Sequence, residues 1–222
     1  MSESAGGIPL HIILMWSAGA LYTLGAISFL IAFYKEIANE LMQALFAFLL
    51  SMALALILMG TGEYSQNITF GYLGTLSILI GSVFMLKFPL TVFSASLRKT
   101  LFRFLLLSVL AIFIWMVISH TGRQLIPQFI MWYMIIANGL VAGFFIFFAG
   151  LRSKEKALKI KAMGGGMGIA SCCIVSHIAS ISGAIILSAI FQFLSPILLM
   201  LTLFVGHYYQ KQLEKSNMPK PA

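Results

Sequence analysis

The feature that most confines this chain is a succession of apolar runs, each long enough to cross a bilayer, separated by short polar breaks. A helix needs about 20 mostly apolar residues to span a hydrocarbon core about 30 Å thick at about 1.5 Å per residue. Runs of this kind cover residues 10–34, 41–60, 70–94, 102–119, 128–150, 162–178 and 183–206. Lipid offers no partner to a bare N–H or C=O, so runs of this length fold as helices. The sequence therefore predicts an all-α polytopic membrane protein. It comprises a short external N-terminus (1–9), a seven-helix transmembrane domain (10–207) and a basic cytoplasmic tail (208–222).

One boundary is less marked than the others. The stretch 164–206 is about twice the length of one span and carries no charge. Ser176, His177, Ser180, Ser182 and Gly183 form its only polar break, which predicts a tight turn there; without it the count falls to six. The first run is too long for a signal-peptide core and has no Lys or Arg before it, so it is expected to remain as a helix.

Charge then gives the runs a direction. Only 9% of residues are charged and 60% are hydrophobic, against about 25% charged in soluble domains. This excludes an ordinary soluble domain, a disordered chain and a nucleic-acid binder. Seven spans alternate the loops, and twelve of the 14 Lys and Arg then fall on one side, with Arg123 alone on the other and Lys87 inside a span. Basic loops stay cytoplasmic, which predicts an outside N-terminus and a cytoplasmic C-terminus. Trp16, Trp115 and Trp132 fall near the outer helix ends, as an interfacial aromatic belt does. The expected location is a bacterial or archaeal inner membrane.

The same topology lines up the few groups capable of chemistry. His11, His120 and His177 fall at the outer face beside Glu63 and Tyr64. Imidazole ligates metals and haem and titrates near neutral pH, so a convergent trio would suit a metal, a porphyrin or an acid sensor. Scattered interfacial histidines are the plainer alternative, and no HxxxH or HExxH spacing is present. No cofactor is required by the sequence. Lys87 is a cation inside a span, two residues before Pro89, and either snorkels to the inner interface or binds an anion or ligand. Asn138 and Gln192 stand near the middle of the fifth and seventh helices. Mid-span amides bond across helices or line a cavity, and Ser188, Ser195 and Pro196 make the last helix polar and breakable. Together Lys87, Asn138 and Gln192 form the candidate ligand set.

The remaining motifs favour structure. Cys172 and Cys173 point about 100° apart on a helix and read as packing. Gly139 with Gly143, and Gly164, Gly165, Gly166 and Gly168, suit close helix contact. The second cluster also reads as a flexible lead-in to the sixth helix. Arg152, Lys154, Lys156, Lys159 and Lys161 form a basic run expected to lie against anionic lipid. The chain has no Asp, no paired carboxylates within a span and no nucleophile motif, so catalysis is not expected.

The arrangement resembles the seven-helix membrane sensor region found ahead of bacterial histidine kinases. The resemblance is carried by Tyr34-Lys-Glu-Ile-Ala-Asn-Glu-Leu-Met-Gln at the second helix, by Gly71-Tyr-Leu-Gly and Phe88-Pro in the third, and by the basic loop and glycines between Arg152 and Gly168. It implies a sensor or accessory protein that binds a small molecule or partner protein without catalysis. The tail here carries no output domain, so signalling would pass to a separate membrane or cytoplasmic partner. A small-solute transporter or channel is the alternative, and a haem- or quinone-binding redox subunit is a third.

Overall fold

Apolar helices in lipid gain little from hydrophobic contact with one another, so close packing, small residues and buried hydrogen bonds must join them. The computed structural model describes residues 7–33, 39–120 and 126–216, without the side chains of residues 120, 126–128 and 209–216. In chain order the helices are α1 Leu10–Ala32, α2 Glu40–Ser65, α3 Ile68–Met85, α4 Lys87–Leu90, α5 Ala95–His120, α6 Ile126–Arg152, α7 Lys156–Ala170, α8 Ser176–Ile181 and α9 Ile185–Ser216. A π turn, Ser171–Val175, joins α7 to α8. Among the described residues, seven segments are long and apolar enough to cross a membrane, with α3–α4 forming one and α7–α8 another.

The turn inferred from Ser182 and Gly183 is present. Gly183 takes φ +80°, a conformation that costs glycine nothing, and α9 begins two residues later. The helix ends are further out than hydropathy alone sets them. The second and third helices are separated only by Gln66, left-handed at φ 54°, and Asn67, whose side chain accepts from the Thr69 N–H as an N-cap. At the basic end, Arg98, Lys99 and Arg103 lie within α5, and Lys156, Lys159 and Lys161 lie within α7. The glycine cluster is accordingly no flexible lead-in: Gly164, Gly166 and Gly168 sit in the middle of α7 and pack closely. A Cβ on Gly168 would meet Leu199 at 2.6 Å, and one on Gly166 would meet the Gly143 carbonyl at 2.7 Å.

Six spans close into a ring, in the order α1, α2, α3, α6, α7–α8 and α9, with α9 returning to α1. Its interior is filled by Tyr22, Phe48, Met52, Leu56, Leu79, Ile169 and Cys172. The fourth span, α5, stays outside the ring against α3, α4 and α6. Only 11% of its apolar window is buried, against 33–56% for the other six. Its outer side chains, among them Phe104, Leu107 and Ile118, are exposed as a lipid-facing surface requires.

Candidate functional site

Polar groups of the bundle form three layers, from an exposed rim inward, and helix geometry gives their depths. At one end His11 Nε2 lies 2.9 Å from Glu63 Oε2, and Trp16 meets Tyr64 edge-on at 5.6 Å. Below this rim the π turn sets up the second layer. Its extra residue displaces the regular helical bonding, and the Cys172 carbonyl accepts from Ser176 Oγ and, at 3.2 Å, from His177 Nδ1. A carbonyl only accepts, so in the neutral ring Nδ1 carries the hydrogen and Nε2 keeps its lone pair. On α9, Pro196 has no N–H to give the Gln192 carbonyl four residues earlier, which loses its helical partner. The Gln192 side chain is itself buried, with Nε2 3.5 Å from Ser188 Oγ.

These features meet in a cavity of about 60 Å³ lined by Ser176, His177, Ser180, Gln192, Thr75 and Trp132, with Met59, Ile78 and Ile135 as apolar wall. Gln192 and Thr75 each lie seven residues inside their helix ends, which is about 10 Å of rise. The cavity therefore sits about one third of the way across, at the His11–Glu63 end. Ser180 is exposed and His177 and Gln192 are buried, so the chamber leads inward from a polar rim. A water occupies about 10–15 Å³ on this scale, so the space suits a few waters or one small solute. None of its lining residues is Lys, Arg, Asp or Glu.

The third layer closes the floor. Asn138 Nδ2 donates to Ser82 Oγ at 3.0 Å, and Ser82 Oγ donates to the Leu79 carbonyl. Ser195 Oγ donates its one hydrogen to the Gly168 carbonyl at 2.9 Å, so the Tyr22 hydroxyl, 2.8 Å away, is the donor to Ser195. All four polar side chains are buried, and the two bonded sets join α3 to α6 and α1 to α9 to α7.

Of the predicted ligand set, only Gln192 lines the cavity; Asn138 lies in the floor beneath it. Lys87 is in neither. The third helix ends at Met85, and Lys87 opens α4 about 28 Å along from Ile68. Its ammonium lies 4.7 Å from the Phe102 ring and 5.6 Å from Phe84. The described histidines do not come together: His11 pairs with Glu63, and His177 lies inside the cavity. The His120 side chain lies outside the described residues, as do Lys35, Arg123 and the side chains of Lys211, Lys215 and Lys220. No group of three potential metal ligands occurs among the described residues. Cys172 and Cys173 are buried in packing, Cys173 against Gly139.

Arg152, Lys154, Lys156 and Lys159 are exposed at the far end, as a lipid-surface role requires. Lys161 is turned inward instead, its ammonium 5.6 Å over the Phe33 ring. Sequence reasoning passed over Thr75, Trp132, Ser176 and Ser180 as lining residues. Ser176 and Ser180, four apart, share one helix face beside His177, and that spacing was the available signal.

The fold and the cavity define a seven-helix polytopic membrane protein with a small polar chamber inside its bundle. Comparison with protein-family models, with curated proteins and with solved structures returned no match.

Proposed function

We propose that this chain is a sensor- or accessory-type membrane protein that binds a small, uncharged polar molecule in the cavity, without chemistry. The observation that carries this reading is the cavity itself. It offers an imidazole, hydroxyls, a primary amide and an indole within an apolar wall, and no Lys, Arg, Asp or Glu to select an ion. The resemblance to membrane sensor regions points the same way. Buried polar groups in a bundle are costly unless they are used or paired; Asn138 and Tyr22 bond across helices in the floor, whereas His177 and Gln192, bonded within their own spans to Cys172 and Ser188, line the space.

The positive-inside rule supports an orientation with the His11–Glu63 rim outside. Arg98, Lys99, Arg103 and the run from Arg152 to Lys161 lie at the opposite end. The cavity then faces the outside of a cell, the side from which a sensed molecule arrives, and a bacterial or archaeal inner membrane is the proposed location. A separate membrane or cytoplasmic protein would receive the signal.

Transport is the second reading, favoured by one feature. Pro196 and the π turn interrupt regular bonding in two neighbouring helices at mid-depth, which is where transporters place broken helices. Beneath the cavity, however, the ring is filled by fully buried side chains from Phe48 to Ile169. Thermal stability of the purified protein across a panel of small neutral solutes, with proteoliposome flux of the same solutes, separates the two. Binding without transport predicts stabilisation that Gln192→Leu abolishes, and no flux. Robust flux lost in Gln192→Leu would establish the transporter instead.

A further inference from the structure

On the lipid-facing side, α6 and α7 are separated by a groove of about 190 Å³ lined by Gly143, Phe144, Phe147, Gly166, Met167 and Ala170. The two backbones touch at its base, where Gly143 and Gly166 carry no side chain to fill it. Phe144 and Met167, each about half exposed, form its rims.

The groove does not end in apolar surface. On α7, Lys159, Met163, Gly166 and Ala170 recur at intervals of four, three and four, so Lys159 stands on the face that lines the groove. On α6, Phe144, Phe148 and Arg152 recur every four residues, and the two rings stack at 6.0 Å. Lys159 and Arg152 thus lie about 10–12 Å from the groove along the same direction, toward the hairpin that joins the two helices. Both are exposed, and among the described residues neither has a carboxylate within ion-pair distance. Lys154, also exposed, lies in that hairpin.

We propose that this hairpin holds one anionic phospholipid, its phosphate between Arg152 and Lys159 and one acyl chain laid along Phe148 into the Gly143–Gly166 groove. This goes beyond a general attraction of basic residues for an anionic leaflet, because it fixes one headgroup and one chain on named residues. Charge complementarity selects the headgroup, since two unneutralised cations face the depth at which phosphates lie. The tail is selected by a groove without a polar side chain, open to hydrocarbon. The site is at the opposite end from the polar cavity and does not depend on what that cavity binds.

Native mass spectrometry of the detergent-purified protein tests this with phosphatidylglycerol, phosphatidylcholine of the same chains, and inorganic phosphate. The expected result is retention of one phosphatidylglycerol on the order of tenfold above phosphatidylcholine, with no phosphate adduct. Arg152→Gln with Lys159→Gln, both at exposed positions, reduces retention to the phosphatidylcholine level. Ala170→Leu fills the groove and lowers retention of both lipids. Should that variant fail to fold, Met167→Trp closes the rim from an exposed position. Equal retention of the two lipids overturns the proposal, as does a preference that survives the double charge variant or a blocked groove. Phosphate bound without lipid, or a dimer formed in place of the lipid adduct, overturns it as well.

Discussion

At the scale of single residues, the bundle is held by groups whose size or pairing admits little change. Adjacent glycines on α7 make this concrete. A methyl group on Gly166 would fall 2.7 Å from the Gly143 carbonyl and 2.9 Å from the Phe147 nitrogen, both backbone atoms that yield only if the helices separate. Gly166→Ala is expected to destabilise the protein by about 1–3 kcal/mol, as overpacking does. A Cβ on Gly165 meets nothing within 4 Å. Gly165→Ala is therefore expected to be neutral, or stabilising by up to about 1 kcal/mol through helix propensity. Reversible unfolding in mixed micelles measures both, and equal effects would contradict the packing described. Glycine clustering was legible in the sequence, but which glycine faces a neighbour was not, because that depends on the helix's rotation about its axis.

At the scale of elements, the spans were legible because the length of an apolar run and the placing of charge are properties of the sequence itself, and the bilayer fixes the length a span needs. Their ends were less so. Lys and Arg are good helix formers whose stems run along apolar surface, so α5 begins ahead of its basic residues and α7 begins among them, neither waiting for the apolar run. The same extension accounts for His177. Hydropathy ends the sixth span near residue 178 and leaves His177 at the surface. The helix continues to Ile181, one more turn, which draws the imidazole below the rim and into the cavity lining. The π turn had no sequence signal, since one extra residue changes no composition. It nevertheless aims the end of the sixth span: removing one of its residues would restore an α-helix and rotate everything beyond by about 100°. Deletion of Ile174 is expected to leave a helical, membrane-inserted protein by circular dichroism, yet to abolish solute-induced stabilisation because His177 and Ser176 leave the cavity. Retained stabilisation would show that the turn does not position them.

At the scale of the whole molecule, the two ends of the bundle differ in chemistry. One end carries a His–Glu rim and a small chamber, the other carries Arg98, Lys99, Arg103 and the run from Arg152 to Lys161, and the buried layer of Tyr22, Ser195, Asn138 and Ser82 separates them. Asn138 and Gln192 stood out in the sequence because amides at mid-span are rare, but only three-dimensional packing divides them into floor and lining. The proposed orientation makes a direct prediction. A cysteine at position 153, in the basic hairpin between α6 and α7, is expected to react with a membrane-impermeant maleimide in inverted vesicles and not in intact cells; the native pair, Cys172 and Cys173, is buried. The opposite pattern would invert the topology and place the chamber toward the cytoplasm.

The central claim, that the chamber is a binding site, is tested most directly by the fluorescence of Trp132, the indole in its lining. With Trp16→Phe and Trp115→Phe leaving it as the sole tryptophan, titration with any solute that stabilises the wild-type protein is expected to give a saturable change that Gln192→Leu removes. A stabilising solute that leaves Trp132 emission unchanged, or whose signal persists in Gln192→Leu, would place binding elsewhere and contradict the account.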